Sequence, residues 1–297
     1  MQTKNAVRKI GYLLKETYKE FMDDNGLKLS AALSYYTIFS LPPLLIVIIS
    51  LGGIFFGADA VRGAILGQIR GLAGDGAALQ IQQTINNLKL SSSNTLAATL
   101  GIIILLIGAS GVFSEIQSSI NHIWSIKTKP KHGMIKFLYS RLMSFSMVGS
   151  VGFLLLAGLV VSSLIDVVNR RLVLILPHNA VILFHGLNTL IAFIIITISF
   201  SIIFKLLPAG KMTLRDCFAG AAFTAFLFMI GKFTIGVYLG RHNIASVYGA
   251  AGSVIVILAW VYYSAAILYF GAEFTKVYAH TRGMEVVPNA FSVHKKK

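Results

Sequence analysis

Five ionisable residues stand within or at the rim of long apolar stretches: Glu115, Asp166, His185, Lys232 and Glu273. A charge at the centre of a membrane-spanning helix costs about 2.5–3.5 kcal/mol on the insertion scale. Such groups are therefore retained for pairing, for an ion path or for contact with a polar cargo. Glu115 and Glu273 fall at the ends of their stretches, and Arg141 enters its stretch from the same side. With Asn121 they are expected to line a polar vestibule at the cytoplasmic face. Asp166 lies close to Arg170 and Arg171 at the opposite end. Lys232 sits deepest, and its long stem can carry the ammonium outward. The plainer reading of all five is structural pairing.

Enzyme chemistry is hard to assemble from the remaining residues. The histidines at 122, 132, 178, 185, 242, 280 and 294 form no HxH or HExxH pair, so a zinc hydrolase lacks its ligands. The chain has no GxxxxGK[ST] phosphate loop and no GxSxG elbow. The single cysteine, Cys217, excludes an intramolecular disulfide and reads as a small packing residue at a helix start. No catalytic residue, metal ligand or cofactor is expected.

The elements that must position these groups are apolar helices. Stretches at 29–57, 94–114, 141–165, 180–207, 213–239 and 248–272 each reach the roughly 20 residues a transmembrane helix needs. Hydrophobic residues make up 56% of the chain and charged ones 12%, against about 25% charged in a soluble domain. The expected fold class is therefore all-α, with six transmembrane helices. Residues 1–28 read as a cytoplasmic amphipathic arm, 29–275 as the transmembrane domain and 276–297 as a basic cytoplasmic tail. The first apolar stretch is longer than a signal-peptide core, so it is expected to remain as the first span.

A net charge of +15 suggests a polyanionic partner. Its distribution has a simpler cause, because cytoplasmic loops of membrane proteins are enriched in Lys and Arg. Basic residues crowd 1–28, 127–141, 205–215 and the tail, whereas the opposite side holds only Arg62, Arg70, Lys89, Arg170, Arg171 and Arg241. Both termini are thus placed in the cytoplasm, and no nucleic-acid partner is expected.

Local patterns add detail. Val7, Ile10, Leu14, Tyr18 and Phe21 recur at helical spacing among Lys and Glu, the pattern of a helix lying in the membrane interface. Pro42 and Pro43 remove two amide donors from the first span, so a kink or break is expected there. Ser34, Tyr35, Tyr36 and Ser40 stand just upstream. Unwound backbone survives at membrane depth only where protein or a wet cavity covers it, so these residues are candidates for a substrate path, and a packing kink is the plainer alternative. Residues 58–93 read as one or two short helices on the outer face, with Gly63, Gly67 and Gly71 spaced for close packing. On the cytoplasmic half of the second span, Ser114, Ser118 and Asn121 share a face, and Trp124 follows at interfacial depth. Gly236 and Gly240 have the spacing of close helix contacts, which allows homo-oligomerisation.

In order along the chain, Ala32-Leu33-Ser34-Tyr35-Tyr36, Ser40-Leu41-Pro42-Pro43-Leu44, Asn121-His122-Ile123-Trp124, Leu207-Pro208, Tyr248-Gly249, Trp260-Val261-Tyr262-Tyr263 and Gly271-Ala272-Glu273 resemble the YihY/BrkB family of bacterial inner-membrane proteins. The resemblance covers about residues 10–280; Pro43 matches the family's proline, whereas Pro42 stands where a small residue is more usual. It implies six spans and no settled activity. Members have been linked to serum resistance and to movement of lipid-like molecules, and were long labelled ribonuclease BN. A metal-dependent ribonuclease needs clustered His and Asp ligands, which argues against that label. The expected function is a transporter or flippase of amphiphilic, anionic, lipid-like substrates without its own ATPase. A membrane scaffold in contact with lipids is the alternative.

Overall fold

The computed structural model describes residues 2–87, 108, 111–128, 178–241, 252–289 and 292–294. Seven helices fall there: α1 (Gln2–Asp23), α2 (Gly26–Phe56), α3 (Ala58–Asn87), α4 (Gly111–Ile123), α5 (His178–Leu206), α6 (Leu214–Arg241) and α7 (Gly252–Thr281). Four short strands join them: β1 (Ile126–Thr128), β2 (Gly210–Lys211), β3 (Val287–Pro288) and β4 (Ser292–His294). The expected span at 141–165, most of that at 94–114, and Arg141, Asp166, Arg170 and Arg171 lie outside the described residues.

The protein is mostly helical, and four helical segments are long and apolar enough to cross a membrane. They are Gly26–Phe56, Thr189–Leu206, Leu214–Lys232 and Val254–Thr281, with mean hydropathies of 2.3, 2.4, 1.4 and 2.0. Leu187, Leu190, Ile194 and Ile198 on α5, and Phe226 and Ile230 on α6, are exposed at helical spacing. Exposed apolar rows on long helices suit a lipid solvent.

Contrary to the expected break, α2 is one helix across Pro42 and Pro43. Unwinding would free further polar groups in an apolar setting, which costs more than the two absent amide donors. Neighbouring small residues accommodate the prolines. A Cβ built on Gly108 would lie 3.0 Å from Pro43 Cγ, and one on Gly111 only 2.6 Å from Ser40 Oγ. The α2 surface there is closed against the chain that leads into α4.

Gly57, at φ 83°, turns the chain directly from α2 into α3, a conformation that favours glycine. Residues 58–87 form one helix, not one or two short ones. Gly63 and Gly67 do not mediate close packing, since nothing lies within 4 Å of a Cβ on either. The packed side is aliphatic instead: Val61, Ile81 and Ile85 join Leu45 and Ile49 of α2 and Ile257 of α7 in one cluster.

The larger core lies at the other end of the bundle. Phe21, Ile120, Trp124, Phe204, Tyr269 and Ala272 are among its buried members. Trp124 is buried in this core: it is 2% exposed, and its Nε1 donates to Ala272 O at 3.1 Å. The α6–α7 crossing is set by two reciprocal contacts. A Cβ on Gly220 would lie 1.8 Å from Thr275 Oγ1, and one on Gly271 would lie 1.9 Å from Thr224 Oγ1. Thr224 and Thr275 each satisfy their hydroxyl on the carbonyl four residues back, at 2.7 Å. This glycine–threonine interlock does the close packing; the side-chain surroundings of Gly236 and Gly240 lie outside what is described.

The chain after α7 is strapped to the same end. β4 pairs antiparallel with β1, and β3 with β2. The Ala209 carbonyl accepts from Asn289 N at 2.9 Å and Ser292 Oγ at 2.7 Å. Thr213 and Asp216 cap the start of α6 as a T-x-x-D box, with the Asp216 amide donating to Thr213 Oγ1 at 3.3 Å. Thr213 Oγ1 donates to one carboxylate oxygen of buried Asp216, and Arg282, beyond α7, pairs with the other. α1 docks at the same end, with Phe21 against Phe270 of α7, so the first and last segments of the described chain meet there, at the basal end.

Candidate functional site: a charged junction at the basal end

Two helices present polar groups to each other at matching intervals. On α4 these are Glu115, Ser119 and His122, and on α7 they are Tyr269, Glu273 and Lys276. Both sets follow i, i+4, i+7 and so occupy one face of each helix. Ser119 Oγ lies 3.4 Å from Glu115 Oε1. Burial lifts the Glu115 carboxyl above its ordinary value, and the Ser119 hydroxyl pulls it partway back. Tyr269, fully buried, lies beside Ser119 and Glu115.

The stripe ends in a cage of oxygen atoms around Lys276. Its Nζ lies 2.8 Å from Glu20 Oε2, 3.0 Å from Glu273 Oε2 and 3.4 Å from Asp24 Oδ2. It also donates to Ile123 O at 2.8 Å. His122 Nε2 is 3.9 Å from the other Asp24 oxygen. α1 delivers Glu20, and the turn that follows it delivers Asp24, because Leu13, Thr17 and Phe21 form the buried face of α1, with Phe21 edge-on to Phe270 at 5.5 Å. Asn25 then takes the left-handed conformation (φ 57°) that turns the chain into α2. Beside the cage opens a cavity of about 330 Å³ lined by Tyr12, Glu16, Glu20, Ser125, Lys276 and His280, among others.

Several sequence candidates take other positions. Ser34 donates to Leu258 O at 2.8 Å and so ties α2 to α7. Tyr35 and Tyr36 are exposed, and Ser40 is buried against Gly111. Pro42 and Pro43 are half-buried, as are Ser114 and Glu115, whereas Ser118 and Lys232 are exposed. Asn121 accepts the Ala209 amide at 2.7 Å, and Gln117 donates to Leu207 O at 2.7 Å. Asn121 thus braces a turn instead of facing Glu273. Glu273 faces Lys276, and Arg141 lies outside the described residues.

The sequence reading missed Glu20, Asp24 and Lys276. It assigned Lys276 to the tail, although α7 continues to Thr281. It also expected no metal-ligand cluster, yet the fold gathers ligand oxygens of Glu20, Asp24 and Glu273 within 4.8 Å of one another. The Glu273–Lys276 and Glu20–Asp24 helical spacings were the available signals. Nothing local showed that the two pairs converge.

The fold and this junction define a polytopic helical membrane protein with an ionisable core at one end. The chain belongs to the Virulence factor BrkB family, whose model matches residues 17–292. It is 25% identical over 278 residues to a UPF0761 membrane protein of Saccharophagus degradans, covering 92% of this chain and 62% of that one. It is 26% identical to YfkH of Bacillus subtilis, named as ribonuclease-like, over 88% of this chain and 92% of that one. A UPF0761 membrane protein of Pseudomonas aeruginosa is 27% identical over 85% of this chain and 59% of its own. The chain therefore spans about three fifths of the first and third of these relatives. No solved structure matches.

Proposed function

We propose that this protein is a carrier, or flippase, of amphiphilic, anionic, lipid-like molecules in the bacterial inner membrane, driven by a gradient in place of an ATPase. The observation that carries this reading is the polar stripe of α4 and α7, which runs from half-buried Glu115 and buried Tyr269 to buried Glu273 and Lys276 beside an open cavity. Ionisable groups in an apolar bundle are costly unless they serve a path or a pair. The Lys- and Arg-rich segments support a cytoplasmic basal end, with both termini on that side. The amphipathic α1, with Ile10, Leu14 and Tyr18 exposed in a row, lies in the interface there. Two further spans, at 94–114 and 141–165, complete six crossings.

The test is a vesicle assay with a fluorescent anionic phospholipid, run with and without a proton gradient. Movement between leaflets is expected, and it should slow in E115Q and E273Q. No lipid movement at any gradient would sink the reading.

A scaffold role is the second reading. It is favoured by the closed contact of Pro43 with Gly108, on a helix that continues through both prolines. It predicts a soluble partner that co-purifies in stoichiometric amount, and loss of that partner when Lys127, Lys129 and Lys131 are replaced. The ribonuclease name of the Bacillus subtilis relative is tested by incubating purified protein with tRNA; cleavage above background would revive it.

A further inference from the structure

We propose that Glu20, Asp24 and Glu273 bind one divalent cation, with the ammonium of Lys276 as its tethered competitor. The inference goes beyond the carrier reading and does not depend on it.

Three carboxylates converge on one ammonium. The ammonium has three protons and four close oxygen neighbours. Glu273 is fully buried, and among the described residues neither of its oxygens receives a hydrogen bond. Lys276 Nζ is its ion-pair neighbour, 3.0 Å from Oε2. A buried carboxylate with unfilled acceptor sites, aimed at two others, calls for a cation.

The donor set selects the class of ion. It consists of carboxylate oxygens, with the Ile123 carbonyl also turned toward the cage. Hard oxygen donors suit Mg²⁺, Ca²⁺ and Mn²⁺. Their mutual separations of at most 4.8 Å compare with twice the roughly 2.4 Å metal–oxygen distance of a calcium-sized ion. Lys276 holds that place in the structure, and the adjoining cavity gives its flexible stem somewhere to withdraw. Glu16 lines that cavity and offers the displaced ammonium a new partner.

The test uses purified full-length protein in detergent, stripped with EDTA and titrated with Mn²⁺, the free ion being read by electron paramagnetic resonance. One Mn²⁺ per chain is expected. Affinity should fall at least tenfold in E273Q and in D24N, and rise at least tenfold in K276Q, which lacks the competitor. Should E273Q fail to elute as a single species, D24N, at the part-exposed rim, carries the comparison. Wild-type protein that binds no Mn²⁺ overturns the proposal. So does binding by K276Q alone, because the lysine then fills the cage in the native chain. Binding that survives both D24N and E273Q places the ion elsewhere and overturns it too. The readout needs no substrate movement, so failure here and failure of the carrier reading are separate results.

Discussion

Glu273 is wholly buried and lies 3.0 Å from the ammonium of Lys276, one helical turn further along α7. The lysine is in turn held by Glu20 of α1 at 2.8 Å and by the carbonyl that ends α4 at 2.8 Å. One side chain therefore links three helices that are far apart in sequence. Removing one partner of a buried ion pair typically costs about 3–5 kcal/mol, because the other charge is left uncompensated. K276Q in EDTA is expected to lose about that much, measured as a large drop in the thermal midpoint of the detergent-solubilised protein. A loss no greater than that of an exposed control such as K127Q would show that the lysine is not what joins α1 to α7.

The glycine–threonine interlock makes a sharper packing prediction. A methyl group on Gly271 would lie 1.9 Å from Thr224 Oγ1 and 2.8 Å from its Cβ. Overpacking of this kind costs about 1–3 kcal/mol. G271A should destabilise the protein by that amount. T224S keeps the hydroxyl and should not relieve it, whereas T224G should recover part of the loss. Thermal unfolding of the single and double variants decides this, and simple additivity of G271A and T224G would argue against the contact.

Asn121 should behave as an acceptor, not as a substrate-path residue. Its Oδ1 takes the Ala209 amide at 2.7 Å, and the same residue's carbonyl is bound by Asn289 and Ser292. Leaving a buried amide unpaired costs about 1–3 kcal/mol, which is an upper bound for half-buried Ala209. N121A should lose up to that much stability, while N121D, which keeps an acceptor oxygen, should lose less. If lipid movement is measurable, N121D should retain it. An N121D variant of normal stability without transport would return Asn121 to the substrate path.

These outcomes also mark how far the sequence could be read. Long apolar runs exposed the spanning segments because the bilayer requires length and apolarity together, and α2, α5, α6 and α7 follow those runs closely. Pro42 and Pro43 were misleading because local propensity predicts a break, whereas Gly108 and Gly111 supply the space that keeps α2 whole. The sequence offered a depth for Trp124, but not its partner: the indole donates to Ala272 inside the core, a contact made across some 150 residues. The charged junction was half legible. Glu273 stood out as a charge in an apolar run, while Glu20, Asp24 and Lys276 looked like ordinary solvated residues of an arm and a tail. Only the docking of α1 on α7 gives them a shared environment, and that docking depends on Phe21 meeting Phe270 across some 250 residues of chain.

The last prediction concerns the sidedness on which the carrier reading rests. In the fold, α1 and the β4 strand belong to the basal end, whereas the α2–α3 turn lies a full 31-residue helix away. At about 1.5 Å per residue that is some 46 Å, enough to cross the hydrocarbon core. Cys217 is the chain's single cysteine and is buried, so C217A gives a clean background. I10C, V293C and D59C place thiols at exposed positions, with the Asp59 side chain 99% exposed. A membrane-impermeant maleimide added to intact spheroplasts should label D59C alone, and I10C and V293C should react only after the membrane is opened. Labelling of I10C and V293C from opposite sides would contradict the shared basal end. Labelling of both from outside would keep the fold but invert it, and the polar stripe would then open away from the cytoplasm.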